Sequence, residues 1–265
     1  RGIILAKQNN SPKELHRLLS DFNRQRQEYR PETNANNSKE MLYSFFIDLF
    51  YPRIQELLDP AFELYETIKE KHSGEVERFI NDYRSEMQEE RFENFLSIFS
   101  SYFRNQGHFS QLASYARIND DNVDDLIVGS KSFEHINLYY GQAFETLTSA
   151  VSILAAFNNI LSGRPYDQFQ HMNWNKYLKD VDKSKRANPF SNEPAFAAFA
   201  SCLNNTLRNG SHHASIWREG ETIYYRSGGS GEKREIPYTQ YIHLCNKITI
   251  ALAALWLLEI TTLVG

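Results

Sequence analysis

Apolar positions recur at spacings of three and four along most of the chain, a pattern that predicts helices. "SPKELHRLLSDF" opens with Ser11 as N-cap, Pro12 at the first helical position and Glu14 closing a capping box. "PETNANNSKE" (31–40) is a polar linker, and a second helix is expected from about Lys39, kinked at Pro52. "DPAFELYETIKEK" predicts a third, with Asp59 as cap and Pro60 behind it. From 74 to 105, Val76, Phe79, Ile80, Tyr83, Met87, Phe92, Phe95, Leu96 and Phe99 mark a helix with one drift in phase. The acidic stretch "INDDNVDDL" (118–126) breaks the pattern. It divides the chain, on this reading, into an N-terminal helical region, 1–130, and a C-terminal domain, 131–265.

The second part opens with "FEHINLYYGQAFETLTSAVSILAAFNNILSG" (133–163), apolar almost all round, as a central helix of a bundle would be. Gly163 and Pro165 stop it. A mixed connection (164–194) with a short helix follows, then the helix "AFAAFASCLNNTLRN" (195–209), ended by Gly210. "ETIYYR" and "KREIPY" flank "SGGSGE", which predicts a β-hairpin. A last helix runs from about Tyr238 to Leu263. The fold class expected is all-α: a helical bundle with a small hairpin before the final helix, plus the N-terminal helices.

Composition adds limits. The 265 residues are 41% hydrophobic and 23% charged, which describes a globular chain with a real core. A net charge of −4 makes no bulk demand for nucleic acid, so any RNA surface has to be a local patch. Cys202 and Cys245 are too few for a disulfide framework and read as small buried side chains. No cysteine or histidine spacing signals zinc, and no metal or cofactor is expected. The 16-residue run "TIALAALWLLEITTLV" contains Glu259 and reads as a buried helix rather than a membrane span. No signal-peptide pattern is found, so the expected location is cytoplasmic. The start at Arg1 rather than Met reads as a fragment or a processed chain.

The richest chemistry lies in "NNTLRNGSHHAS" (204–215). Arg208 ends an apolar helix, Asn209 follows it, and His212 and His213 come after a helix-breaking glycine. Arg208 and His213 have four residues between them. A bare Arg-x4–6-His pattern is weak: Arg164 and His171, six apart in between, match it as well. Arg164, however, precedes Pro165 in a loop, whereas Arg208 precedes the hairpin and closing helix. Arg and His near a helix end also serve as ordinary caps.

In that setting "LRNGSHHAS" resembles the signature of HEPN domains, small helical bundles of which many are metal-independent RNases. The resemblance covers roughly 131–265. It implies Arg208, Asn209 and His213 as catalytic residues, with two motifs meeting across a homodimer cleft, and often a role in antiviral defence, abortive infection or RNA processing. An acidic side chain on an earlier helix often pairs with the arginine in this family; Glu145 is the candidate here and Glu134 its rival. One toxin branch carries a tyrosine two residues after the histidine, where this chain has Ser215. The alternative is a non-catalytic HEPN-like module that binds RNA, a nucleotide or a protein.

The chemistry suits those residue types. RNA is cut when its own 2′-OH attacks the adjacent phosphate. A neutral imidazole accepts the 2′-OH proton, and a guanidinium holds the phosphorane oxygens. The products are a 2′,3′-cyclic phosphate or 3′-phosphate and a 5′-OH, and DNA resists. On an unbroken helix, residues five apart diverge by about 140° and residues four apart nearly eclipse, so His212 rather than His213 would flank Arg208. A break at Gly210 lets His213 swing back. His213 matches the family spacing, and His212 stays as its substitute.

Other residues carry lesser expectations. Lys176, Lys179, Lys183, Lys185 and Arg186 against Asp180 and Asp182 leave a local net of +3, with Trp174 and Tyr177 interleaved. Lys183, Lys185 and Arg186 are the RNA-backbone candidates, and a solvated face is the plainer reading. Tyr224 and Tyr225 must lie on opposite faces of their strand. His135, His171 and His243 read as structural. The aromatic run 92–118 reads as core or dimer packing. Expected partners are therefore RNA, a second copy of the chain, and a regulatory protein or flanking domains, with no membrane.

Overall fold

The computed structural model describes residues 38–86, 88–130, 132–203, 207, 215–226 and 231–264. They are mostly helical: α1 Ser38–Lys71, α2 Ser73–Glu86, α3 Gln88–Arg104, the short α4 Gln106–Phe109 and α5 Ala113–Arg117, α6 Phe133–Ala150, α7 Ser152–Leu161, α8 Trp174–Asp180, α9 Pro194–Ser201 and α10 Tyr238–Val264. Three strands, β1 Ile216–Glu219, β2 Thr222–Arg226 and β3 Lys233–Pro237, form one antiparallel sheet in sequential order just before α10. The helix expected at Ser11 and the hairpin tip at 227–230 lie outside the described residues.

One expectation about helix boundaries changes. No new helix begins at Asp59; α1 runs from Ser38 through Pro52 and Pro60 to Lys71. A proline removes one N–H and crowds one carbonyl, a local penalty. Against it stands an unbroken buried stripe, Ile54, Leu57, Ala61, Tyr65 and Ile68, which keeps helical spacing across Pro60. The helix expected over 74–105 is described as α2 and α3, helical up to Glu86 and again from Gln88, with Met87 outside the described residues. The hairpin gains a third strand. "IWRE" is too short to stand out by alternation, yet it pairs Ile216 with Tyr225 and Trp217 with Tyr224.

The chain divides into two compact units assembled from separated stretches, so no single cut near residue 130 describes it. One contains Phe99–Gly141 and Thr206–Thr249 together with the described residues up to Arg53. Its aromatic core stacks Tyr102 on Phe109 at 4.9 Å between ring centres, with Tyr139 against Phe109 at 4.7 Å. The polar ends are satisfied inside: Tyr102 donates to Asn246 Oδ1 at 2.7 Å, and Asn246 donates to the Phe109 carbonyl at 3.0 Å. This places most of the 92–118 aromatic run in core, as one of its two expected roles required, although Phe92 is exposed. In the sheet, Ile223 and Tyr225 are buried. Tyr224 lies on the opposite face, as alternation requires, where it stacks on Trp217 at 5.7 Å under the Lys233 ammonium.

The other unit contains Ile54–Ile98, Gln142–Asn205 and Ile250–Gly265. Helix α7 is buried at almost every position from Ser152 to Ile160, which is why its sequence lacks a polar face. Phe157 packs on Tyr65 and Phe79 at 5.2 and 5.7 Å. A charged network lies within it: the Arg91 guanidinium donates to Glu259 at 2.9 Å and to the Ser152 hydroxyl, and it covers the Tyr83 ring at 5.0 Å. Phe133–Leu161 and Tyr238–Leu263 are long and apolar enough to cross a bilayer, but 72% and 67% of their most apolar 18-residue windows are buried, as in core helices. Cys245 is buried and Cys202 only partly so, and both are free thiols.

Candidate functional site

The four motif residues, Arg208, Asn209, His212 and His213, lie outside the described residues. Their flanks are described. Leu207 is helical and fully buried, and β1 begins at Ile216. Ser215 is tied to the sheet edge: its carbonyl accepts from the Arg226 N–H at 2.9 Å, and its hydroxyl donates to the Arg226 carbonyl at 3.2 Å. The motif is thus flanked by a buried helical position, Leu207, and by a sheet whose first strand begins three residues after His213.

Further along this unit, Arg218 is fixed from several sides. It donates to the Ser130 carbonyl at 2.8 Å, to the Gly220 carbonyl at 2.7 Å and to Glu221 at 3.0 Å. Its guanidinium lies 3.7 Å from the Tyr238 ring centre. The Ser130 hydroxyl meets His108 Nδ1 at 2.8 Å and the Tyr238 hydroxyl at 3.1 Å. Burial, helped by the nearby His135, holds the His108 imidazole below its usual pKa. These groups close the start of the sheet onto α10.

In the other unit, the expected RNA-backbone residues separate. Lys183 forms an ion pair with Glu145, so the carboxylate expected beside Arg208 has a lysine partner from its own unit. Lys185 is well exposed, 3.7 Å from Asp182. Arg186 is buried and does not present its charge to solvent. It donates to the Leu178 carbonyl and covers the Tyr177 ring, while its own carbonyl accepts from the Tyr177 hydroxyl at 2.7 Å. Burial pulls the Arg186 guanidinium below its ordinary pKa, with Tyr177 opposing. Trp174 and Tyr177 are buried too, packed with Phe169 rather than open to bases.

Around those residues lies a cleft of about 590 Å³ that the linear sequence does not announce. Helix α7 ends in a Schellman motif: the Gly163 N–H bonds the Ile160 carbonyl at 2.8 Å and the Arg164 N–H bonds the Asn159 carbonyl at 3.0 Å. Gly163 takes the left-handed φ of +73° that this stop requires. The reversal aims Arg164 into the cleft, where it donates to Asn159 Oδ1 at 3.2 Å. A tight loop then closes by the Phe169 N–H to the Met172 carbonyl and the Trp174 N–H to the Asp167 carbonyl, both 2.8 Å. It carries Phe169, Gln170, His171 and Met172 along the lining. Asn173 caps α8 by accepting from the Lys176 N–H at 2.9 Å. From there Tyr177 and Asp180, then Asp182 and Lys185, complete the walls.

The pair Arg164 and His171, set aside in the sequence as a loop coincidence, thus lines one cleft, and His171 is exposed on its rim. The Gly163–Arg164–Pro165 helix stop was the one signal that the chain turns sharply at Arg164. The loop closure that returns His171 is invisible in composition. Among the described residues, no group of three or more His, Cys, Asp or Glu side chains is arranged to hold a metal ion.

In comparisons with known proteins, no family model, no curated protein and no solved structure matches the chain.

Proposed function

We propose that the chain is a metal-independent endoribonuclease of HEPN type, with Arg208 and His213 as its cleaving pair and Asn209 beside them. His213 takes the 2′-OH proton, and Arg208 neutralises the charge that develops on the phosphorane. Asn209 orients the phosphate or the imidazole. Two copies of the motif meet in a homodimer cleft, with cellular RNA as substrate.

One observation carries the reading. The Arg-Asn-Gly-Ser-His-His segment stands between a buried helical residue, Leu207, and a small antiparallel sheet that leads directly into a long apolar helix. That order matches the resemblance in "LRNGSHHAS". The sheet adds a surface suited to single-stranded RNA. Trp217 and Tyr224 stack on one face with Lys233 3.7 Å above the tyrosine ring, combining flat platforms for bases with a cation for the backbone.

The test is incubation of the purified protein with labelled single-stranded RNA in EDTA, beside Arg208→Ala, His213→Ala and His212→Ala. The expected result is cleavage with cyclic-phosphate ends, lost in Arg208→Ala and His213→Ala, and no cutting of DNA of the same sequence. Loss in His212→Ala alone moves the base by one residue. RNA binding without cleavage by the wild type, retained in Arg208→Ala, replaces the nuclease with a binding module.

A further inference from the structure

We propose that the cleft lined by Arg164, His171 and Lys185 is a binding site for a phosphorylated sugar, built from residues other than the Arg208–His213 motif and argued independently of the nuclease reading.

The argument starts from Arg164. Its Nε–H is buried and has no hydrogen-bond partner, and no carboxylate pairs with it among the described residues. One guanidinium nitrogen is anchored by the fully buried Asn159, which itself donates to the Tyr166 carbonyl at 2.9 Å, so the fork is held rather than loose. The guanidinium is partly buried, held by Asn159 and without an ion-pair partner among the described residues, so an anion in the cleft would offset what its partial burial costs. Charge complementarity therefore calls for an oxyanion in the cleft. Lys185 and His171 on the exposed rim add a second cation and a further donor.

The rest of the lining narrows the ligand. Phosphate presents enough oxygens for the guanidinium fork and a lysine together. A polyphosphate or a long anionic chain is disfavoured, since Asp180 and Asp182 share the rim and would repel further negative charge. Carboxylates instead accept hydrogen bonds from hydroxyls. One phosphate with neighbouring hydroxyls is the chemistry of a sugar phosphate, whether free, in a mononucleotide, or as one unit of an RNA strand. Phe169, Met172 and Pro189 supply apolar wall for the C–H face of such a ring, and 590 Å³ is ample for it.

The experiment is isothermal titration of the whole chain with ribose 5-phosphate, ribose, inorganic phosphate, a mononucleotide and a short RNA. Ribose 5-phosphate is expected to bind, and ribose not to. Arg164→Gln, which keeps the side chain's reach and removes its charge, should weaken binding by about 10- to 100-fold, the loss of a charged hydrogen bond. Lys185→Ala, at an exposed position that does not support the fold, should weaken it several-fold. Asp182→Asn should weaken ribose 5-phosphate while leaving inorganic phosphate unchanged or tighter. If RNA displaces ribose 5-phosphate the site serves the strand, and if it does not the site serves a free metabolite. Absence of binding by every phosphorylated probe, with the protein folded by circular dichroism, overturns the proposal, as does binding indifferent to Arg164→Gln and Lys185→Ala. Arg208→Ala should leave the titration untouched, which keeps a failure of this site distinct from a failure of the nuclease.

Discussion

Arg91 and Glu259, 168 positions apart in sequence, form an ion pair at 2.9 Å with both side chains about 95% shielded from solvent. Burial raises the Glu259 carboxyl above its ordinary pKa, and Arg91 works against that shift. Such a pair is costly to break on one side, because the survivor is left charged and dry. Glu259→Ala is expected to lose about 3–5 kcal/mol of stability in urea unfolding. Replacing both, as Arg91→Met with Glu259→Leu, should recover most of that loss. Equal destabilisation by the single and double changes would show that the network is worth more than its charges.

Gly163→Ala tests the helix stop behind Arg164. A Cβ there meets nothing within 4 Å, so no clash arises. The cost comes from the left-handed φ of +73°, about 1–2 kcal/mol for a residue with a side chain. Denaturant midpoints measure that loss. Binding of ribose 5-phosphate should weaken alongside, since the same turn aims Arg164 into the cleft.

His243 gives a pH signature. It is fully buried, and its Nε2 meets Asp121 at 2.8 Å while Nδ1 has no hydrogen-bond partner among the described residues. Burial lowers its pKa below 6.5; Asp121 and Asp120 oppose the shift and Lys247 adds to it. The unfolded chain therefore binds a proton on this histidine at a pH where the folded chain does not. The stability it contributes is present above about pH 6.5 and is lost as pH falls through the window below that value. Unfolding midpoints should drop on going from pH 7.5 to 5.5, and His243→Gln should flatten the slope. An unchanged slope would assign it to His108, whose pKa is lowered in the same direction.

If the sheet face receives RNA, Trp217→Ala and Tyr224→Ala should each weaken single-stranded RNA binding by about 1–3 kcal/mol, the usual worth of a base stacked on an aromatic ring. Lys233→Ala should instead lower the salt dependence of binding by about one ion. Both are read from fluorescence anisotropy titrations at several salt concentrations, in the His213→Ala background so that the RNA stays intact.

Much of this organisation was legible in the residues. The acidic break, the stop at Gly163–Pro165, the β2–β3 pairing and the last helix from Tyr238 all follow from local rules: helical spacing, a glycine stop and strand alternation. The short strand β1 was not legible, because four residues carry too little alternation and pairing with β2 decides them. Pro60 misled for a related reason. Its penalty is local, and the buried stripe of α1 outweighs it across several turns.

The site divides along the same line. Sequence alone singled out candidates by motif, Arg208, Asn209 and His213 among them, and it set the faces of Tyr224 and Tyr225 by strand geometry. Only the tertiary structure decided which charges meet. It buried Arg186 and paired Lys183 with Glu145. It also gathered Arg164, His171 and Lys185 around one cleft, with no acid paired to the Arg164 guanidinium among the described residues. Secondary structure is written in contacts between near neighbours. Charge pairing and desolvation depend on residues tens of positions apart, and no local pattern encodes their distance.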